Sequence, residues 1–189
     1  MTTLIIEPHA DDVWLSLGQH LLDRAFGDHV VIGTVYGDER RMAETQRYAT
    51  RYGGARWVGT GLPEGGIGNG TEWTTDPPHA AIREMIDSFQ PDRIVGPLGL
   101  QHPEHRAVVD AIDALVDIDV ARYVELPYSL KRKNHDELQT RLDDYELHLV
   151  SARVRTAAAN TAAHLFKTQS QFWHFNRQSM TGAMELVLA

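Results

Sequence analysis

A chain of 189 residues with 42% hydrophobic content is long enough for one domain with a substantial core. It contains no cysteine, which excludes a disulfide framework and a thiolate metal site, so any bound metal must use histidine and carboxylate donors. The net charge of −8 is spread along the chain, with Lys131-Arg132-Lys133 as the lone basic cluster, which argues against nucleic acid as a partner.

The start of the chain, Thr2-Thr3-Leu4-Ile5-Ile6, is too short an apolar run for a signal peptide or a membrane span, and a cytoplasmic protein is expected. Leu4 to Glu7 reads as a first strand, and Val13, Leu17 and Leu21 recur at helical spacing behind it, with Asp11 or Asp12 available as N-cap. Val30 to Tyr36 is a β-branched second strand. A helix follows with Met42, Thr45, Ala49 and Tyr52 on one face, stopped by Gly53-Gly54. Arg56 to Val58 is a short third strand, and Gly59 to Pro78, rich in Gly, Pro and Thr, reads as a long functional loop.

Ala81, Ile82, Met85, Ile86 and Phe89 mark the next helix, Arg93 to Gly96 a strand, and Ala107, Val108, Ala111, Ile112 and Leu115 another helix. Arg122 to Glu125 and Tyr145 to Val150 read as later strands separated by a polar stretch. A last helix is expected from near Ser151 through Val154, Ala158 and Leu165 towards Phe172. The alternation predicts a Rossmann-like α/β fold over residues 1–189, a mostly parallel sheet flanked by helices.

Chemistry concentrates in two segments. Glu7-Pro8-His9-Ala10-Asp11-Asp12 follows the first strand, and Gly99-Leu100-Gln101-His102-Pro103-Glu104-His105 follows the strand around Ile94-Val95. Both fall at carboxyl ends of strands, where an open α/β sheet binds its ligands. His9 and Asp12, three positions apart, can chelate one divalent ion while Asp11 between them stays free to act as a base. His102 and His105 share a helix face, and Pro103 suits the first helical turn. Alone, Asp11 or Asp12 is as readily a helix cap, and a His pair is more often not a metal site. Together the segments supply His, Asp and His for an open zinc site.

Nucleotide binding is the competing use of such a sheet. The first strand-to-helix turn has no glycine, and its paired carboxylates stand where a phosphate would sit. The later glycines Gly61, Gly65, Gly66, Gly68 and Gly70 lack phosphate-loop spacing and read as a surface loop.

The chain resembles the PIG-L or LmbE-like zinc-dependent N-deacetylases. Pro8-His9-Ala10-Asp11-Asp12 is similar to the family's Pro-His-Pro-Asp-Asp, and His102-Pro103-Glu104-His105 to its His-Pro-Asp-His. Looser similarity lies in Tyr36-Gly37-Asp38-Glu39-Arg40, the Glu44 to Gly53 helix, Gln90-Pro91-Asp92 and Ser170-Gln171. The resemblance implies His9, Asp12 and His105 as ligands of one Zn2+ per chain, Asp11 as general base, and His102 as the group that polarises or protonates at the amide. It implies an N-acetylglucosamine-type amino sugar or its conjugate as the small-molecule substrate. Ala10, Val13 and Glu104 depart from the family pattern, and Glu104, one methylene longer, is expected to hold its neighbouring histidine differently as an outer partner of the metal site.

Arg40 and Glu64 are candidate substrate contacts, and Trp73 is a candidate sugar-stacking ring. The chain is short for the family, which points to a more open site or one completed by a neighbouring copy in a homo-oligomer. Two other readings stay open: a zinc amidohydrolase acting on a non-sugar N-acyl metabolite, and a non-catalytic sugar- or nucleotide-binding α/β domain.

Overall fold

The computed structural model describes residues 1–65, 77–116, 120–126, 128–145, 149–154 and 184–189. Its strands are β1 (Thr2–His9), β2 (His29–Tyr36), β3 (Arg56–Leu62), β4 (Arg93–Pro97), β5 (Val120–Tyr123), β6 (Leu149–Val154) and β7 (Met184–Leu188). The helices are α1 (Asp12–Leu22), α2 (Glu39–Tyr48), α3 (Pro77–Phe89), α4 (Pro103–Leu115) and α5 (His135–Asp144). The strands form one seven-stranded sheet in the order β3-β2-β1-β4-β5-β7-β6. Pairing is parallel from β3 through β5, and β7 runs antiparallel to both β5 and β6.

The mostly parallel α/β architecture is therefore as the sequence predicts. β1 is buried on both faces, as a central parallel strand must be. Ile5 packs with Val13, Trp14 and Leu17 of α1, whereas Leu4 and Ile6 pack with Ile82 and Met85 of α3 and Val108 and Ile112 of α4. β1 neighbours β2 on one side and β4 on the other, so the connection reverses direction across the sheet between β1 and β4. That switch point opens a crevice at the carboxyl ends of both strands.

Several elements differ from expectation. β3 continues through Leu62, beyond the expected Val58, although Gly59 and Gly61 disfavour a strand. Gly59 is used for close approach: a Cβ there would meet the Trp57 ring at 2.5 Å and Met42 Sδ at 2.9 Å. The ring's Nε1 donates to Thr34 Oγ1 at 2.8 Å, and Thr34 donates to Glu7 at 2.6 Å, tying β3 and β2 to β1.

The polar stretch after β5, where the sequence predicts no element, holds α5. Its Leu138 and Leu142, with Tyr145 just beyond, pack against a cluster of Leu98, Leu100, Val124 and Leu188. Tyr145 therefore caps a helix where a strand is expected, and the strand begins at Leu149. Ser151 to Val154 lie in β6 and do not open a helix; the rest of that expected helix, with Ser170-Gln171, lies outside the described residues, as does Trp73. β7 is an additional strand, anchored by buried Glu185, which accepts from the His20 amide at 3.1 Å. Among the described residues, no helix is long and apolar enough to cross a membrane.

Gly59→Ala should force the Trp57 ring or Met42 aside and lower stability by about 1–3 kcal/mol. The check is a reduced urea midpoint at unchanged slope.

Candidate active site

The turn after β1 folds on its own side chains. The Asp11 amide donates to the His9 carbonyl at 2.8 Å, and the His9 amide donates to Asp12 Oδ2 at 2.9 Å. Asp11 takes the N-cap position of α1 but makes no side-chain cap bond, so the capping role weighed for it is not used. Its Oδ1 instead accepts from Arg41 Nη2 at 2.8 Å. Beneath the turn, fully buried Glu7 accepts from the Val13 amide at 2.9 Å and from Tyr48 at 3.2 Å. Burial pushes its carboxyl up to about 8, so it is mostly protonated at neutral pH.

The second segment is shaped by a carboxylate that the sequence marks only as the end of a strand. Glu125, just past β5, accepts from the amides of Leu98, Gly99 and Leu100 at 3.2, 2.7 and 2.9 Å. Gly99 supports this concave loop with φ of 88°, a conformation that favours glycine. From α5, Glu137 accepts from the Gln101 amide at 3.1 Å. His102 then caps α4, its Nδ1 accepting from the Glu104 amide at 3.3 Å, with Pro103 opening the helix.

The two segments meet in the crevice. His9 Nδ1 and His105 Nε2 lie 3.1 Å apart, and Asp12 Oδ2 is 3.3 Å from the first and 3.2 Å from the second. A tetrahedral ion with ligand bonds of about 2.0–2.1 Å separates its ligand atoms by about 3.3 Å. The far nitrogen of each ring meets a carboxylate: His9 Nε2 is 2.7 Å from Glu104 Oε2, and His105 Nδ1 is 3.3 Å from Glu125 Oε1. Such outer carboxylates fix the tautomer and aim of metal-binding imidazoles. His102 stands edge-on to His9 at 4.8 Å between ring centroids, and one ring nitrogen from each of His9, His102 and His105 lies within 4.8 Å of the other two, a group that could hold a metal ion. Tyr128 forms a wall, its ring 5.3 Å from that of His105.

The electrostatics fit a cation. Burial opposes charge on His9 and His105, yet Asp12 with Glu104 raises His9 to about 9, and Asp12 with Glu125 raises His105 to about 10. Asp12 is held well below the usual carboxylate range, its burial outweighed by the two imidazoles. Buried carboxylates that draw both imidazoles towards the charged form mark a place that favours positive charge, which a divalent cation would supply in place of protons. Burial raises Asp11 to about 6 against the pull of Arg41. Burial and the neighbouring His9 and His105 lower His102.

Of the expected site residues, His9, Asp11, Asp12, His102, Glu104 and His105 converge in this crevice. Arg40 is exposed on α2, and it is Arg41 that reaches the site. Arg41 shares a helix face with buried Thr45 and Tyr48 at i+4 and i+7, a signal available in the sequence. Glu64 lies against Arg41 Nη1, both oxygens at 2.5 Å, rather than standing as a free loop acid. Glu104 holds His9 across the crevice rather than its neighbour His105, which Glu125 holds.

Fold and site define an α/β protein with a candidate metal centre at the switch point of its sheet. No family model and no curated relative matches the sequence. Among solved structures, it is similar to the N,N'-diacetylchitobiose deacetylase of Pyrococcus horikoshii, at 13% identity and a TM-score of 0.53 over 100% of this chain and 83% of that one. It is also similar to the 4-carboxy-2-hydroxymuconate hydratase of Pseudomonas putida, at 11% identity and a TM-score of 0.59 over 100% and 96% of the two chains. A third is the conserved protein TT1542 of Thermus thermophilus, at 14% identity and a TM-score of 0.53 over 99% and 93%. At these identities the likeness concerns the fold.

Glu125→Ala would orphan the buried Gly99 and Leu100 amides, each worth about 1–3 kcal/mol when unsatisfied, while the Leu98 amide keeps the Tyr123 carbonyl at 3.0 Å. Chemical denaturation of the metal-free protein should show a loss of at least about 2 kcal/mol, which separates this architectural role from metal loading.

Proposed function

We propose that the protein is a zinc-dependent N-deacetylase of the PIG-L or LmbE-like kind, with one such domain over residues 1–189. In this reading it removes acetyl from an N-acetylglucosamine-type amino sugar or its conjugate. The observation that carries it is the triangle of His9 Nδ1, Asp12 Oδ2 and His105 Nε2, with edges of 3.1–3.3 Å. That triangle already has the edge length of a zinc coordination shell, and an acid stands beside it turned to a different partner. Those atoms would hold one Zn2+. When bound, zinc supplies a Lewis acid that polarises the amide carbonyl and acidifies a water at the open position.

Asp11 takes the proton of the attacking water and returns it to the departing amine. Asp11 is buried beside the three ligand atoms and bonded to Arg41 instead of joining them, which leaves it to accept and return a proton. Arg41 holds its Oδ1 and so fixes the plane of the carboxyl. His102, with Nδ1 occupied as acceptor, keeps its proton on Nε2 and donates to the developing oxyanion as a neutral imidazole. A nearby dication would lower its basicity further, which favours the polarising role over the protonating one. Arg41 and Glu64 border the crevice where a sugar would lie. The reading includes a cytoplasmic location, a small-molecule substrate and a homo-oligomeric partner completing the open site.

Metal analysis of purified variants tests the ligand set. His9→Ala, Asp12→Ala and His105→Ala should each lose zinc, while His102→Ala should keep it and drop about a hundred- to a thousandfold in turnover. Zinc lost from His102→Ala but retained in Asp12→Ala would assign the third ligand to His102.

For the chemistry, Asp11→Asn should retain zinc and lose at least about a hundredfold in turnover. Acetate release across N-acetyl sugars and N-acyl amines identifies the substrate class. Release from N-acyl amines alone would replace the sugar with a non-sugar amide, and a zinc-loaded protein that releases none would be a binding domain.

A further inference from the structure

Glu104 occupies the position where the family that the chain resembles has Asp, and the extra methylene has a use. Its Oε2 lies 2.7 Å from His9 Nε2 while its Oε1 accepts from the Gly65 amide at 2.7 Å. The residue is fully buried, so each oxygen needs a donor from the protein. Next to Gly65, Glu64 engages Arg41, which holds Asp11 at 2.8 Å. The Glu64-Gly65 pair after β3 is thus bonded to both halves of the site: to the expected base through Arg41, and to an expected ligand through Glu104.

We propose that Glu104 is a positioning residue that makes the orientation of His9 and the docking of Glu64-Gly65 one event, so that metal capture seats these two residues against the site. The inference rests on the zinc reading above and adds a coupling to it. Two donors face one side chain, and only a carboxylate accepts at both ends. With the Nε2 proton of His9 directed at Oε2, Nδ1 keeps its lone pair towards Asp12 and His105. Glutamine accepts at one end alone. If its amide nitrogen faces Gly65, two donors oppose each other; if it faces His9, the imidazole proton moves to Nδ1, where the metal would bind. Aspartate is one methylene too short to span both partners.

The test measures zinc affinity by competition with a chromophoric chelator, and Gly65 amide exchange by NMR, with and without zinc. Wild type, Glu104→Asp and Glu104→Gln are compared, with thermal unfolding of each zinc-free protein as a control for folding. In wild type, zinc should slow Gly65 exchange by about tenfold or more. Both variants should lose that response, and Glu104→Asp should bind zinc about 10- to 100-fold more weakly.

Wild-type affinity and an intact Gly65 response in Glu104→Asp would overturn the proposal. So would wild-type protein that binds zinc with no change at Gly65, a result that needs no variant to fold. A protein that shows the coupling yet releases no acetate would sink the deacetylase reading and leave the coupling standing, whereas wild type that binds no zinc would remove the metal reading itself.

Discussion

Glu7, Asp11, Asp12, Glu104 and Glu125 are all at most 5% exposed and crowd the carboxyl ends of adjacent strands, a concentration of acid that a folded protein tolerates only if each member is answered. The structure answers them by different means. Glu7 keeps its proton and bonds Tyr48 and the start of α1. Asp11 is given Arg41, Glu125 a nest of loop amides, and Asp12 and Glu104 the imidazoles of His9 and His105. Much of the surrounding architecture can be read as the provision of those answers.

The later elements serve the same end. α5 looks peripheral, but its Glu137 holds the Gln101 amide and Arg106, steadying the loop that delivers His102 and His105. β5 ends where Glu125 can reach back beneath the β4–α4 loop. β3 runs on past its glycines and brings Glu64 and Gly65 within reach of α2 and α4.

What was legible in the sequence followed from periodicity and local motifs. The strand-helix alternation through α4 needed only apolar spacing, and the two ligand segments are contiguous stretches with unusual density of His and carboxylate. What was missed depends on partners far along the chain. α5 has too few apolar residues to announce itself, and its helix is justified only by the Leu98, Leu100 and Val124 surface it covers. Arg40 and Arg41 are equivalent in composition and differ only in which helix face turns inward. Glu125 carries no motif, and nothing local says that Glu104 reaches His9 rather than His105. Gly59 within β3 is explained only by the ring of Trp57, whose position depends on Thr34 in another strand.

The parallel pairing of Leu4 with Ile94 and Ile5 with Val95 has a consequence for how the molecule loosens. Both halves of the site hang from neighbouring central strands, so their separation is set by the interstrand spacing of about 4.8 Å and inherits its rigidity. β6, with exposed Leu149 and Val150, stands at the far end of the sheet order. Fraying there leaves the central pair untouched. Loosening at the margin and opening of the crevice are therefore separate events, and a molecule with a ragged margin still holds its candidate metal-binding residues together.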